Sequence, residues 1–234
     1  MLKIFRRQRQ ALPASEFEAL RASVMASAFV GSSTLNGPFE SSRGFGVTFT
    51  QAGLGELTKR FPALAPWLTA ALGAPAIRAL TPWWRRVPSR VPNAWYLNLL
   101  MVGPGAEVAR HIDGTLMGAA GVTEHPPECV SVLYLSVPTT TGGMLELWNG
   151  SIPVGLITPK TGEAVHFRGD LAHAVRSFEG PADARRASLV IEQYAFEPEA
   201  LARLPVFQLD SRAGFRAYLK DHAGRPAKPF ELET

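Results

Sequence analysis

The sequence predicts a mainly β protein, a sandwich or barrel with flanking helices. From "NAWYLNLLMV" onward the chain is a series of short runs rich in Val, Leu, Ile and aromatic residues. Turn-forming separators break these runs at short intervals: "GPG", "PTTTGG", "NGS", "PKTG", "RGD" and "GPAD". Many short strands so spaced are the signature of packed antiparallel sheets. Ahead of them the texture is helical.

The elements follow in order. "SEFEALRASVMASAF" predicts a helix ending near Gly31, with Ser15 and Glu18 spaced as a capping box. "GFGVTF" reads as a strand, then "GLGELTKRF" and "LAPWLTAAL" as helices. The strand runs after "NAWYLNLLMV" are "AEVARHI", "CVSVLYLSV", "MLELW", "IPVGLI", "EAVHF", "AHAVRSF" and "ASLVIEQY". The stretch from His173 to Arg186 reads as one hairpin turned at Gly180-Pro181. After Pro198, a helix around "GFRAYLKDH" is expected to pack outside. One domain is expected: a helical support over 1–92, a β core over 93–197 and a helical extension over 198–234.

Composition narrows the class. In 234 residues, 46% are hydrophobic and 19% charged, which suits a globular chain and excludes a disordered or fibrous one. The formal charge of +4 permits an acidic ligand but does not argue for nucleic acid. Cys129 is the only cysteine, so an internal disulfide and a cysteine-based zinc site are excluded. The basic start lacks the apolar run of a secretory signal, and "SVMASAFVG" is too short to span a bilayer. A soluble, cytoplasmic protein with no membrane partner is expected. Lys3, Arg6, Arg7 and Arg9 read most simply as a solvated flank. "TPWWRRVPSR" joins Trp83 and Trp84 to Arg85, Arg86 and Arg90, the ingredients of a stacking platform for bases. Core packing with a solvated basic edge is the simpler account.

The chemistry centres on "ARHIDGTL". His111 and Asp113 stand two residues apart, so on a strand they share one face. Alone, the pair could be no more than a polar turn at a strand end. A third metal ligand must come from another histidine. His222 lies in the C-terminal segment, His125 in the Pro-rich loop "TEHPPE", His166 in "EAVHF" and His173 at the start of "AHAVRSF". A strand start facing the pocket suits a ligand best, which favours His173 and leaves His166 as its rival. In "RRASLV", Arg186, Ser188 and Val190 share one face while Arg185, Ala187 and Leu189 share the other. A cation beside a histidine-carboxylate metal site suggests a small anionic co-substrate.

Taken together, "HID", "VSVLYLSVPTTTGGMLELW", "KTGEAVHFRGDLAHAV" and "RRASL" resemble the Fe(II)- and 2-oxoglutarate-dependent oxygenases. The likeness is greatest to their prolyl-hydroxylase-type branch and covers roughly residues 94–195. It implies a double-stranded β-helix, the jelly-roll core also found in cupins. His111, Asp113 and His173 would be its two-histidine, one-carboxylate facial triad. Arg186, aided by Ser188, would grip the distal carboxylate of 2-oxoglutarate, and O2 would take the last iron position. Tyr96 and Asn98 on "WYLNLLMV", and Tyr134 in "VLYLSV", are candidates for a further co-substrate contact. The implied reaction hydroxylates, or otherwise oxidises, an unactivated C–H while 2-oxoglutarate becomes succinate and CO2. Halogenating relatives carry a small residue where Asp113 stands, so chlorination is not expected. Base-demethylating relatives carry an Asn-containing arginine signature that "RRASLVIEQY" lacks.

The implied substrate is a small molecule such as an amino acid or specialised metabolite, with a short peptide as the alternative. Specificity is expected in the loops 113–128 and 138–142 and in the N-terminal segment. Two other readings compete. A metal cupin could act as an isomerase or dioxygenase without 2-oxoglutarate, although Arg186-x-Ser188 argues against it. A β-helix binding module with a degenerate site is disfavoured by the intact set of ligand types.

Overall fold

Two nine-residue strands, β4 (Ala94–Val102) and β11 (Arg186–Tyr194), form the axis of the protein. They pair antiparallel along their whole length, from Ala94 opposite Tyr194 to Val102 opposite Arg186. Alternation splits their side chains between two interiors. Trp95, Leu97, Leu99, Leu189 and Ile191 pack into one core, whereas Leu100, Val102 and Val190 join another. Both faces of this sheet are therefore covered.

The computed structural model describes residues 4–32, 42–72, 91–139 and 141–213. The remaining strands, in chain order, are β1 (Phe5–Gln8), β2 (Gly31–Ser32), β3 (Arg43–Thr50), β5 (Val108–His111), β6 (Cys129–Ser136), β7 (Leu145–Asn149), β8 (Ile152–Ile157), β9 (Ala164–Arg168), β10 (Ala172–Val175) and β12 (Phe207–Asp210). An eight-stranded sheet runs β1-β9-β6-β11-β4-β3-β12, with β2 also on β3. A four-stranded sheet runs β5-β10-β7-β8. Every pairing is antiparallel, and the two sheets enclose one apolar layer in a jelly-roll arrangement.

Helices α1 (Ala14–Met25), α2 (Leu54–Arg60) and α3 (Ala65–Ala71) back the larger sheet. Phe17, Leu20 and Val24 give α1 its buried stripe, and Leu57, Trp67 and Leu68 continue the same core. Short helices α4 (Met117–Ala120) and α5 (Pro198–Leu201) border the other face, against Tyr96 and Tyr194.

Several local expectations need correction. Helix α1 begins after Pro13 without a side-chain cap, because Ser15 is already inside the first turn. Glu18 instead pairs with Arg21 at 2.6 Å. The helix stops at Met25, where the Ser27 hydroxyl accepts from the Phe29 amide and turns Phe29 toward Phe45 and Phe61. The hairpin expected from His173 to Arg186 does not exist. β10 pairs with β5 and β7, β11 with β4 and β6, so the connection crosses from the smaller sheet to the larger.

The basic flank is also not simply solvated, since Arg7 in β1 holds the buried Glu163 through Nε and Nη2 at 2.9 and 2.7 Å. Within 198–210 the chain is a short helix and an edge strand, and β12 extends the sheet beyond β3. The helix expected around "GFRAYLKDH", His222 and the "TPWWRRVPSR" segment lie outside the described residues.

Candidate active site

His111 ends β5 directly opposite His173 in β10, so strand pairing alone brings the two imidazoles together. Their ring centroids lie 4.3 Å apart. Asp113 lies just past the strand end, and its loop carries the carboxylate back between the rings. Oδ1 sits 3.2 Å from His111 Nε2, and Oδ2 sits 3.5 Å from His173 Nε2. One ligand atom from each of the three residues lies within 4.8 Å of the others.

The tautomers suit a metal. His111 Nδ1 donates to the Ala109 carbonyl at 2.7 Å and His173 Nδ1 to that of Leu171 at 3.3 Å. Each tether leaves an Nε2 lone pair aimed at Asp113, the usual arrangement of a metal-binding histidine. Burial works to raise the Asp113 carboxyl, but the adjacent imidazoles outweigh it and hold the group below its ordinary value. Burial likewise works to lower His111, yet Asp113 prevails and raises it. His173, the more deeply buried ring, is lowered chiefly by desolvation. Asp113 Oδ2 is buried without a hydrogen-bond donor, an orphan acceptor that a divalent cation would satisfy. The donor set fits iron.

The rival histidine points elsewhere. His166 lies on the helix-backed side of the larger sheet, with Nδ1 2.9 Å from Ser131 Oγ and its ring 6.1 Å from Trp67. Burial pushes its imidazole down to about 4, so it stays neutral. His125 lies tilted against the Phe196 ring, centroids 5.2 Å apart, and its Nε2 bonds the Ala195 carbonyl.

The inward face of the larger sheet holds a buried cation. Arg186 is 4% exposed, and among the described residues no carboxylate pairs with it. Its guanidinium donates Nη1 to the Gly143 carbonyl and lies 5.1 Å over the Tyr134 ring. Gly142 and Gly143 both adopt positive φ (+97° and +69°), and a Cβ on Gly142 would strike the Ser177 carbonyl. Glycine thus lets the chain turn so that the Gly143 carbonyl reaches the arginine. The Tyr134 hydroxyl is fully buried without a hydrogen-bond partner, and Ser188 lies opposite Tyr134 in the sheet. A guanidinium with idle donors beside an orphan hydroxyl and a buried serine fits a carboxylate. Arg185 is only half-buried and bonds the carbonyls of Ala182 and Ala184.

Asn98 and Tyr96 share this face, two and three same-face rows from Arg186, opposite Val190 and Glu192. Of the three candidate contacts, Tyr134 alone stands at the arginine end.

Sequence reasoning missed Glu192. Its carboxylate is buried, accepts from the Thr115 amide and hydroxyl at 3.2 and 2.6 Å, and accepts from the Tyr194 hydroxyl. It thereby ties down the loop that carries Asp113. Burial, then the charge of Asp113, pushes it up to about 8. The signal was present: position 192 continues the inward series 186, 188, 190, where an acid has no reason to be unless it is bonded.

No family model matches the sequence, and no curated protein matches it. Solved structures do match. A Pseudomonas putida prolyl-4-hydroxylase is 18% identical, with a TM-score of 0.55 over 82% of this chain and 92% of its own. The chain shares its fold with prolyl hydroxylases. A Trichoplax adhaerens prolyl hydroxylase, solved with a hypoxia inducible factor oxygen degradation domain peptide fragment, is 14% identical. Its TM-score is 0.60, over 86% of this chain and 88% of that one. A 2OG-Fe(II) oxygenase family oxidoreductase from Burkholderia pseudomallei is 15% identical, with a TM-score of 0.53 over 83% and 86%. The double-stranded β-helix expected from the sequence is this fold.

Proposed function

We propose that the chain is an Fe(II)- and 2-oxoglutarate-dependent dioxygenase that oxidises an unactivated C–H of a small molecule. The carrying observation is Arg186, a buried guanidinium without a carboxylate partner among the described residues, on the inward face of the sheet that packs over the strands of His111 and His173. An unpaired buried charge is costly unless a ligand completes it.

In this reading the three clustered residues hold iron, which supplies the oxidising chemistry when bound. Arg186, Ser188 and Tyr134 take the distal carboxylate of 2-oxoglutarate. Glu192 fixes the Asp113 loop through Thr115, and the apolar layer between the sheets keeps bulk water away. The whole chain acts as one oxygenase unit in the cytoplasm. Among the described residues no helix is long and apolar enough to cross a membrane. A cupin acting without 2-oxoglutarate would leave Arg186 unexplained.

Release of succinate and CO2 from 2-oxoglutarate, requiring added Fe(II) and O2, is the test. Turnover of a substrate with bound iron but without succinate would select the cupin reading instead.

A further inference from the structure

Under the segment that follows Asp113 the larger sheet carries a cavity of about 490 Å3, a volume typical of small-ligand pockets. Its floor is the inward face of the sheet edge. Tyr96 lies opposite Thr48 and Thr48 opposite Gln208, while Gly46 lies opposite Asp210. Its roof is the segment after Asp113: Thr115, Leu116 and Ala119. The cavity therefore shares a wall with the loop that holds the candidate ligand. Gly46 makes room for the Tyr96 ring on this floor, since a Cβ there would strike the Tyr96 hydroxyl.

The far end of the cavity carries one charge of each sign. Asp210 and Arg212 both line it, two residues apart. Gln208 donates to Asp210 Oδ1 at 2.8 Å, and among the described residues neither charge forms an ion pair. Nearer the roof the lining turns apolar, at Leu116, Ala119 and Pro205. A carboxylate beside a guanidinium, with an apolar wall leading away, matches an ammonium and a carboxylate on one carbon with a hydrocarbon tail.

We propose that this cavity seats the primary substrate, and that the substrate is a free α-amino acid with an apolar side chain. Asp210 takes its ammonium, Arg212 its carboxylate, and the side chain runs along Leu116 and Tyr96 toward the metal cluster. The assignment rests on the oxygenase reading for its chemistry but not for its binding. One C–H and O2 are consumed with 2-oxoglutarate; one oxygen atom enters the new C–O–H, the other enters succinate, and CO2 leaves.

Calorimetry under argon, on the full chain with Fe(II) and 2-oxoglutarate, tests the proposal. The probes are L-leucine, L-isoleucine, L-norleucine and L-methionine, each beside its N-acetyl and carboxamide derivative. At least one free amino acid should bind, with both derivatives at least about tenfold weaker, a difference of about 1.4 kcal/mol. Asp210→Asn should erase the penalty for acetylation and Arg212→Gln the penalty for amidation. Both side chains stand at the rim, so neither change threatens the core.

Failure of every free amino acid to bind overturns the proposal. So does selectivity unchanged by both substitutions, or binding of a capped prolyl peptide in their place, which would make the substrate a peptide. Zwitterion binding without succinate release would retain the cavity assignment and sink the oxygenase reading. Succinate release without amino-acid binding would do the reverse.

Discussion

Arg185 and Arg186 are adjacent and chemically identical, yet alternation puts only Arg186 on the inward face, over the Tyr134 ring. Removing one partner of a buried charge pair costs about 3–5 kcal/mol, and each 1.4 kcal/mol is about tenfold. Arg186→Ala should raise the apparent 2-oxoglutarate constant by roughly a hundredfold or more, whereas Arg185→Ala should change it less than about fivefold. The two constants, measured side by side, decide the face assignment. For the metal, Ala at His111, Asp113 or His173 should abolish bound Fe(II) in a folded protein, and His166→Gln should retain it. Iron analysis of the purified variants reads this out, and loss in His166→Gln with retention in His173→Ala would reverse the choice.

His166 also predicts a pH effect. Its folded value is about 4 against an ordinary 6.5, so below pH 6.5 the unfolded chain takes up a proton that the folded chain refuses. Stability from this residue is complete above about 6.5 and is lost as pH falls to about 4, at about 1.4 kcal/mol per unit at most. Denaturant melts of wild type and His166→Gln should diverge across that window; parallel curves would show His166 titrating normally.

At the scale of elements, β1 is more than an edge. Arg7 reaches from it to Glu163, whose backbone carbonyl accepts from the Tyr134 amide, so the strand braces Tyr134 beneath Arg186. Arg7→Ala strands a buried carboxylate and should cost about 1–3 kcal/mol of stability. Adding Glu163→Gln should recover part of it, as chemical denaturation would show. This strand was illegible in "IFRRQ", because its pairing partner lies more than 150 residues away and its charges resemble a solvated flank. The false hairpin after His173 has the same origin. Period-two alternation identifies a strand and its faces, but which sheet it joins depends on distant partners. Alternation did separate Arg186 from Arg185, and the spacing "HID" did anticipate a pair of neighbours around one point. Asp113 nevertheless gets there by a loop rather than by strand geometry. Ser15 and Glu18 matched a capping motif that Pro13 pre-empted.

For the whole molecule, the larger sheet separates support from chemistry. Its helix-backed face carries Leu97 and Ile191 against Trp67 of α3, and its inward face carries Arg186, Tyr134 and Glu192, toward the smaller sheet that holds the two histidines. In the proposed oxygenase, Arg186 and the metal cluster act on one ligand: the distal carboxylate at Arg186 and the 2-oxo acid at the metal. Anaerobic calorimetry of 2-oxoglutarate, with and without Fe(II), measures that coupling directly. One 2-oxoglutarate should bind per chain in the presence of Fe(II), at least about tenfold more weakly without it, and negligibly to Arg186→Ala. Equal binding with and without Fe(II), or no binding at all, would contradict the account.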